Sequence, residues 1–217
     1  MDDTLRNMII ASMVLVLASM YGGDTLGSWF HWDEEVDWND GDTASFTSEF
    51  YLEGYEYEAE FDAGSDSGME DTKEDFDADY DDNDCSGSSD CDEMYDLMNG
   101  KIKNLLYIIL LAGGAALYFL NDGDQEKGAL ACLAMGGAGL LAVLLFASSF
   151  PEAIDDDLDF FESSDGFDED PSIFGDDTQK DEDSTVETDR SWRPGFAFAL
   201  VGLSGIIGIA AYFELKN

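Results

Sequence analysis

Positively charged residues are scarce in this chain. Its 217 residues include 9 Lys plus Arg against 50 Asp plus Glu, for a formal net charge of −41. Nucleic-acid binding depends on a basic surface that displaces phosphate counterions, so this balance excludes a nucleic-acid-binding protein. His31 is the only histidine, which excludes a multi-histidine metal site, and no nucleophile-elbow motif supplies a serine for a catalytic triad around it. The sequence therefore does not predict an enzyme.

The acidic residues are concentrated in two blocks, and the rest of the chain is nearly neutral and apolar. Residues 24–96 hold 27 of the acidic residues, and residues 152–189 hold 17. Stretches without an ionisable residue lie outside these blocks, at Met8–Tyr21, Leu105–Leu120, Gly128–Ala147 and Gly195–Phe213. Since a membrane-spanning helix needs roughly 20 apolar residues, this pattern predicts four transmembrane helices.

The first apolar stretch is short, which leaves two interpretations open. It suits a spanning helix over Thr4–Gly23 with Tyr21 at the membrane interface. It also suits the apolar region of a signal peptide with Ala18 at the cleavage site. The acidic start MDDTLR is unusual for a signal peptide, so the uncleaved helix is the preferred interpretation.

These features predict an all-α membrane fold: a four-helix transmembrane bundle with a small extracellular β-hairpin region and acidic, partly disordered loops. The predicted segments are a first transmembrane helix (1–23), an acidic extracellular loop with the hairpin and a cysteine pair (24–100), a transmembrane helical hairpin (101–147), a second acidic extracellular loop (148–193) and a fourth transmembrane helix with a short tail (194–217). Acidic residues hardly resist translocation, and the cysteine pair suits an oxidising exterior. We therefore expect both loops to lie outside the cell membrane.

Residues 46–61, FTSEFYLEGYEYEAEF, carry the pattern of a β-hairpin. Apolar residues alternate with carboxylates, and Glu53-Gly54 falls where a tight turn is expected. A disordered amphipathic segment is the alternative. The residues expected to pack on the aromatic face of the hairpin are Trp29, Phe30, Trp32 and Trp38.

The other parts of the two acidic loops show no sustained alternation of apolar and polar residues. Residues 64–84 form a tract rich in Asp, Ser and Gly. We expect this tract to be a solvent-exposed segment, because its charges repel one another. Residues 152–193 contain scattered phenylalanines only. We expect this second loop to be mostly irregular, with a short helix near its start.

Residues 82–93, DNDCSGSSDCDE, match the twelve-residue calcium loop of EF-hands. The ligands in this alignment are Asp82, Asp84, Ser86, Asp90 and Glu93, and Gly87 falls at the sharp turn. Hard oxygen ligands at this spacing suit calcium. Ser89 departs from the aliphatic residue usual at its position, and a diffuse cation atmosphere over an acidic tract is the alternative.

The chain has three cysteines, of which two lie close together. Cys85 and Cys91 are separated by small, flexible residues, so a disulfide between them is feasible and is expected outside the cell. Cys132 lies among alanines and glycines of the third apolar stretch, where a small packing residue is expected.

The apolar stretches are rich in small residues. Glycines occur at positions 113, 114, 136, 137, 139, 202, 205 and 208, and Ala134, Ala138 and Ala142 follow a small-xxx-small spacing. Small residues let helix backbones approach closely in a membrane, so this pattern predicts a tight bundle or a homo-oligomer. Membrane-embedded charges, which ion-coupled transporters use, are missing from the four stretches.

The order of these features resembles that of the claudin and peripheral-myelin group of four-helix membrane proteins. That group has a tryptophan and cysteine pattern in its first loop, matched here by Trp29 or Trp32 with Cys85 and Cys91. A motif of aromatic residues and glycine, Trp192-Arg193-Pro194-Gly195-Phe196, leads into the last apolar stretch. The chain departs from the group in its long acidic tract and in having no clear Gly-Leu-Trp triplet. Its acidity is similar to that of membrane proteins from halophilic or marine archaea.

The sequence predicts a multi-pass integral membrane protein without enzymatic activity. Its acidic outer surface is expected to contact cations, the cell envelope or a partner protein. We expect the protein to lie in the lipid bilayer and to associate with a second copy of itself or with another membrane protein. We expect no nucleic-acid partner and no cofactor other than the predicted calcium. A small cation channel, or an accessory subunit of a membrane complex, is the alternative.

Overall fold

A computed structural model describes residues 2–22, 26–38, 41–64, 70–80, 91–158, 172–180 and 186–216. The chain divides into two compact units. The helical unit contains Met1–Ser28, Asp96–Phe150 and Gly195–Asn217, and the sheet unit contains Trp29–Tyr95 and Pro151–Pro194.

The helices in chain order are α1 (Asp3–Tyr21), α2 (Asp92–Tyr95), α3 (Lys103–Asp122), α4 (Gln125–Leu158) and α5 (Phe196–Lys216). A π-helical segment, Asp96–Ile102, joins α2 to α3 without a break. Among the described residues, four continuous helices are long and apolar enough to cross a membrane: α1, the run from α2 to α3, α4, and α5. At the level of helix length and hydropathy, the four predicted spans are confirmed.

Local sequence signals set the ends of several helices. Asp2 precedes α1 and its side chain accepts a hydrogen bond from the Thr4 amide at 3.3 Å. Gly123 ends α3 with a left-handed φ of 86°, and its amide donates to the Phe119 carbonyl. Asp124 then accepts a hydrogen bond from the Lys127 amide at 3.1 Å, so that α4 begins almost immediately. The two helices are therefore separated by Gly123 and Asp124 alone.

Glycines allow α4 and α5 to approach closely. A Cβ atom placed on Gly136 would lie 2.6 Å from the Ile209 amide nitrogen, and one placed on Gly208 would lie 2.6 Å from the Gly136 amide nitrogen. In contrast, a Cβ on Gly137 would meet no atom within 4 Å. The expected tight packing of a glycine face is therefore confirmed for α4 and α5, whereas association between copies stays a prediction.

The strands are β1 (Phe30–Trp38), β2 (Thr43–Phe50), β3 (Gly54–Asp62), β4 (Thr72–Asp79), β5 (Gly175–Lys180) and β6 (Val186–Pro194). They form one antiparallel sheet in the order β4-β3-β2-β1-β6-β5. The first acidic segment supplies four strands and the second supplies two, so the β1–β6 pair joins residues far apart in the sequence.

The predicted fold class was wrong. In the part of the chain that the structure describes, a six-stranded antiparallel sheet, with 28% of the residues in strands, accompanies the four long helices, so the chain is an α/β fold rather than an all-α bundle with a small hairpin. The tract expected to be solvated contains β4, and the second loop contains β5 and β6. Asp and Glu are depleted in strands, and β4 contains only two apolar residues, so its own composition does not indicate a strand.

The predicted hairpin is confirmed as β2 and β3. Phe50 lies opposite Tyr55, and the Tyr51 amide donates to the Gly54 carbonyl at 2.8 Å to close the turn. Phe30 contacts the hairpin, with its ring centroid 6.0 Å from that of Phe50, but as a neighbour in the paired strand β1 and not, as expected, as a residue packed on the aromatic face. Trp38 likewise packs edge-on against Phe61 at 6.2 Å. Instead of a separate short helix at the start of the second loop, α4 continues past Pro151 to Leu158.

Two stacked tryptophans connect β1 and β6. Trp32 and Trp192 lie directly opposite each other, with ring centroids 5.0 Å apart and an interplanar angle of 14°. Each is only 4% exposed. The Trp192 indole nitrogen donates to the Ser172 carbonyl at 3.1 Å. This hydrogen bond also holds the residues that precede β5 in place.

Candidate functional site

The two faces of the sheet differ in chemistry. Side chains alternate between faces along a strand, and the pairing register aligns this alternation across all six strands. One face carries most of the aromatic residues, including Phe30, Trp32, Phe50, Tyr55 and Trp192. We call the other the carboxylate face; its acidic residues are Asp33, Glu35, Asp37, Glu49, Glu56, Glu58, Glu60, Asp62, Asp75, Asp77, Asp79, Asp176, Glu187 and Asp189.

The basic residues of the carboxylate face are paired with its carboxylates. Lys73 Nζ lies 2.5 Å from Glu58 Oε1, and Lys180 Nζ lies 2.6 Å from Glu187 Oε1. These side-chain hydrogen bonds raise the pKa of Lys73 and the pKa of Lys180 above the usual lysine value. Each of these lysines is therefore held in its charged form by a carboxylate of the same face.

His31 lies between two carboxylates of this face, near the start of the central strand β1. Its Nε2 atom is 3.2 Å from Asp33 Oδ2, and its Nδ1 atom is 3.2 Å from Glu49 Oε1. Arg193 approaches Asp33 from the neighbouring strand, at 3.6 Å. Each ring nitrogen of His31 therefore has a carboxylate oxygen near hydrogen-bonding distance. Sequence reasoning considered His31 only as a metal ligand or a triad member and missed this pairing, because Glu49 and Arg193 come from other strands.

An open cleft of about 190 Å³ lies beside the carboxylate face, at the turn between β2 and β3 and the end of β4. Its lining residues are Tyr51, Glu53, Gly54, Tyr55, Glu56, Asp77, Ala78 and Asp79. The Tyr51 hydroxyl donates to Glu49 Oε2 at 2.6 Å and lies 3.2 Å from Glu56 Oε2. Burial and then these two carboxylates raise the pKa of Tyr51, so its hydroxyl stays protonated and donates to Glu49.

The predicted calcium ligands fall mostly outside the described residues. Asp82, Asp84, Ser86 and Asp90 are not described, and Glu93 lies exposed in α2. Within the described part of the chain, no group of three or more His, Cys, Asp or Glu side chains is arranged to hold a metal ion. The calcium site stays a prediction.

The predicted disulfide also involves a position outside the described residues. Cys91 is 1% exposed and directly precedes α2, whereas Cys85 is not described. The pairing stays a prediction. Cys132 is fully buried in α4, as expected for a packing residue.

Asp157 is a buried carboxylate that sequence reasoning missed. It is 7% exposed, and its Oδ2 atom accepts a hydrogen bond from the Met94 amide at 2.8 Å. Its Oδ1 atom lies 3.4 Å from the Glu93 amide. Because the first amides of a helix have no partner within the helix, Asp157 caps α2 from a distant part of the chain. The local pattern around it contains no signal for this role.

Replacing Asp157 with alanine should lower the free energy of unfolding of the sheet unit by about 1–2 kcal/mol, because two helix amides lose their acceptor. Asp157→Asn should lower the free energy of unfolding by less, since the side-chain amide oxygen can still accept a hydrogen bond from the Met94 backbone amide. Thermal unfolding of the purified protein in detergent measures both. The neighbouring Asp156 is exposed, and Asp156→Ala serves as the control. Equal midpoints for Asp157→Ala and Asp156→Ala would contradict the capping role.

Comparison with known proteins adds no family assignment. No protein-family model and no curated protein matches this chain. The resemblance to the claudin and peripheral-myelin group therefore depends on the residues quoted above and stays a prediction.

Proposed function

We propose that this chain is a non-enzymatic, multi-pass membrane protein whose carboxylate face binds cationic ligands or a basic partner. The observation that carries this proposal is the pairing register, which collects carboxylates from six strands on one face. Such a surface attracts cations and accelerates their association. The long apolar helices are of the length that would anchor this surface at a bilayer.

We further propose that both termini lie in the cytoplasm and both acidic segments outside the cell. The support is the low resistance of acidic segments to translocation and the suitability of an oxidising exterior for Cys85 and Cys91. Protease added to intact cells should then remove the acidic segments and spare tags placed at either terminus. Digestion of the terminal tags, with the acidic segments protected, would reverse the orientation.

A cation channel receives less support from the bundle. The buried Ser12 and Ser204 hydroxyls lie 2.7 Å apart and bond to each other, and buried Ser19 donates to the Val16 carbonyl at 2.8 Å. These bonds place the three hydroxyls in contacts between or within helices, where they contribute to the packing of the bundle. The sheet surface is therefore the better candidate for function.

Spermine provides a direct test of cation binding by the carboxylate face. We expect the full-length protein in nanodiscs of zwitterionic lipid to bind spermine at low ionic strength, and binding to weaken as salt rises. The variant Glu56→Gln/Glu60→Gln/Asp75→Asn removes three charges from the face and should weaken binding by about fivefold. Isothermal titration calorimetry measures the affinity.

A matched control removes three exposed charges from the helical unit, as Asp122→Asn/Glu126→Gln/Glu214→Gln. This variant should bind spermine within about twofold of the parent, because its charges lie outside the carboxylate face. An equal loss in both variants would mean that only the net charge matters. Undetectable binding by the parent would contradict the proposed function.

A further inference from the structure

Strand β4 is an edge of the sheet. It pairs with β3 along one side, from Gly54 opposite Asp79 to Phe61 opposite Thr72. In the part of the chain that the structure describes, β4 is the last strand of the sheet on this side. An edge strand presents a row of backbone donors and acceptors, which an extended segment of another protein can use to add a strand.

The side chains of β4 define the chemistry that an added strand would meet. Nearly all of them are exposed. Asp75, Asp77 and Asp79 project on the carboxylate face, whereas Phe76, which is 46% exposed, and Ala78 project on the aromatic face. An added strand that alternates basic and apolar residues would place opposite charges beside the aspartates and apolar groups beside Phe76.

The cleft beside β4 adds a pocket to this edge. Asp77 and Asp79 line it together with Glu56 and Tyr51, and its volume of about 190 Å³ suits a single long side chain. In strand addition, backbone hydrogen bonds provide affinity and pockets for alternate side chains provide specificity. Carboxylates beside a tyrosine ring suit a lysine or arginine side chain.

The charge of this edge also decides against a second copy of the chain as the added strand. The β4 strand of another copy would carry the same aspartates, and like charges opposite each other destabilise a strand pair. A basic segment meets no such repulsion. The acidic edge thus discriminates between self-association and a basic partner by charge alone.

We propose that the β4 edge binds an extended basic segment of a partner protein by strand addition, with one lysine or arginine side chain in the cleft beside Asp77 and Asp79. This inference rests on the proposed function, of which it specifies the partner and the position. It predicts that binding depends on the backbone of the partner as well as on its charge.

The test uses a fluorescein-labelled peptide of alternating lysine and valine and the full-length protein in nanodiscs of zwitterionic lipid. Methylating every backbone nitrogen of the peptide keeps its charge but removes its amide donors. Fluorescence anisotropy should then give an affinity at least about tenfold lower, because several hydrogen bonds are lost together. Hydrogen exchange should slow at residues 72–79 only with the unmethylated peptide.

Paired variants at the two sheet edges locate the site. Asp77→Asn/Asp79→Asn should weaken peptide binding about fivefold, whereas Asp176→Asn/Asp177→Asn on β5 should change it less than about twofold. Equal binding of both peptides, an equal loss in both variants, or no protection at residues 72–79 would overturn the β4 assignment. If spermine still binds in any of these cases, the proposed function stands and only the edge inference fails.

Discussion

Replacing Gly136 with leucine is expected to prevent the helical unit from packing. The Cβ atom alone would lie 2.6 Å from the Ile209 amide nitrogen and 2.9 Å from the Gly208 carbonyl carbon. Both atoms belong to the backbone of α5, so they cannot move aside as the end of a flexible side chain would. Overpacking of a core costs about 1–3 kcal/mol, and a backbone collision along a membrane helix pair should reach or exceed the upper end of that range.

The measurement is the thermal midpoint and the folded yield of the full-length protein in mild detergent. Gly137 is the matched control, since it is the next residue of the same helix and a Cβ there would meet nothing within 4 Å. Gly137→Leu should therefore change the midpoint little. If both variants behave like the parent, the contact between α4 and α5 does not depend on the glycine face.

Replacing Trp192 with alanine is expected to have the largest effect in the sheet unit. The side chain is 4% exposed, stacks on Trp32 at 5.0 Å and bonds the Ser172 carbonyl at 3.1 Å. Gly175 lies directly against the indole, so the cavity would open at the start of β5. Removal of a buried tryptophan costs about 3–5 kcal/mol, which is a large part of the stability of a small domain.

Tryptophan fluorescence and hydrogen exchange during chemical denaturation measure this loss. Exchange should accelerate most in β5 and β6, because Trp192 connects them to β1. Phe174 is the control: it lies close in sequence but is 64% exposed, and Phe174→Ala should cost less than about 1 kcal/mol. Equal destabilisation by the two substitutions would show that the stacked pair does not hold the two segments together.

The helices of this protein could be predicted from the sequence because their signals are local. An apolar stretch such as Gly195–Phe213 contains its own evidence, since its length and hydropathy suit a membrane whatever surrounds it. The β2–β3 hairpin was predictable for a similar reason. Glu56, Glu58 and Glu60 alternate with apolar residues within one strand, and its partner follows after a short turn.

Strands β4 and β5 were not predictable in this way. β4 has little apolar alternation, and β5 (GDDTQK) has none. Each becomes a strand because a neighbour already in the sheet offers backbone hydrogen bonds and cross-strand contacts, which composition does not record. The prediction of irregular, solvated loops failed because it weighed the charge of each segment and not its available partners.

The sequence by itself determined which segments are apolar, where four helices form and that one aromatic hairpin lies between two of them. Which residues come together in the candidate site depended on the tertiary structure alone. His31 and Arg193 face each other because β1 pairs with β6, and no local pattern relates residues so far apart in the chain. A shift of this pairing by one residue would move every carboxylate of a strand to the opposite face. The carboxylate face is therefore a property of the register, which non-local contacts set.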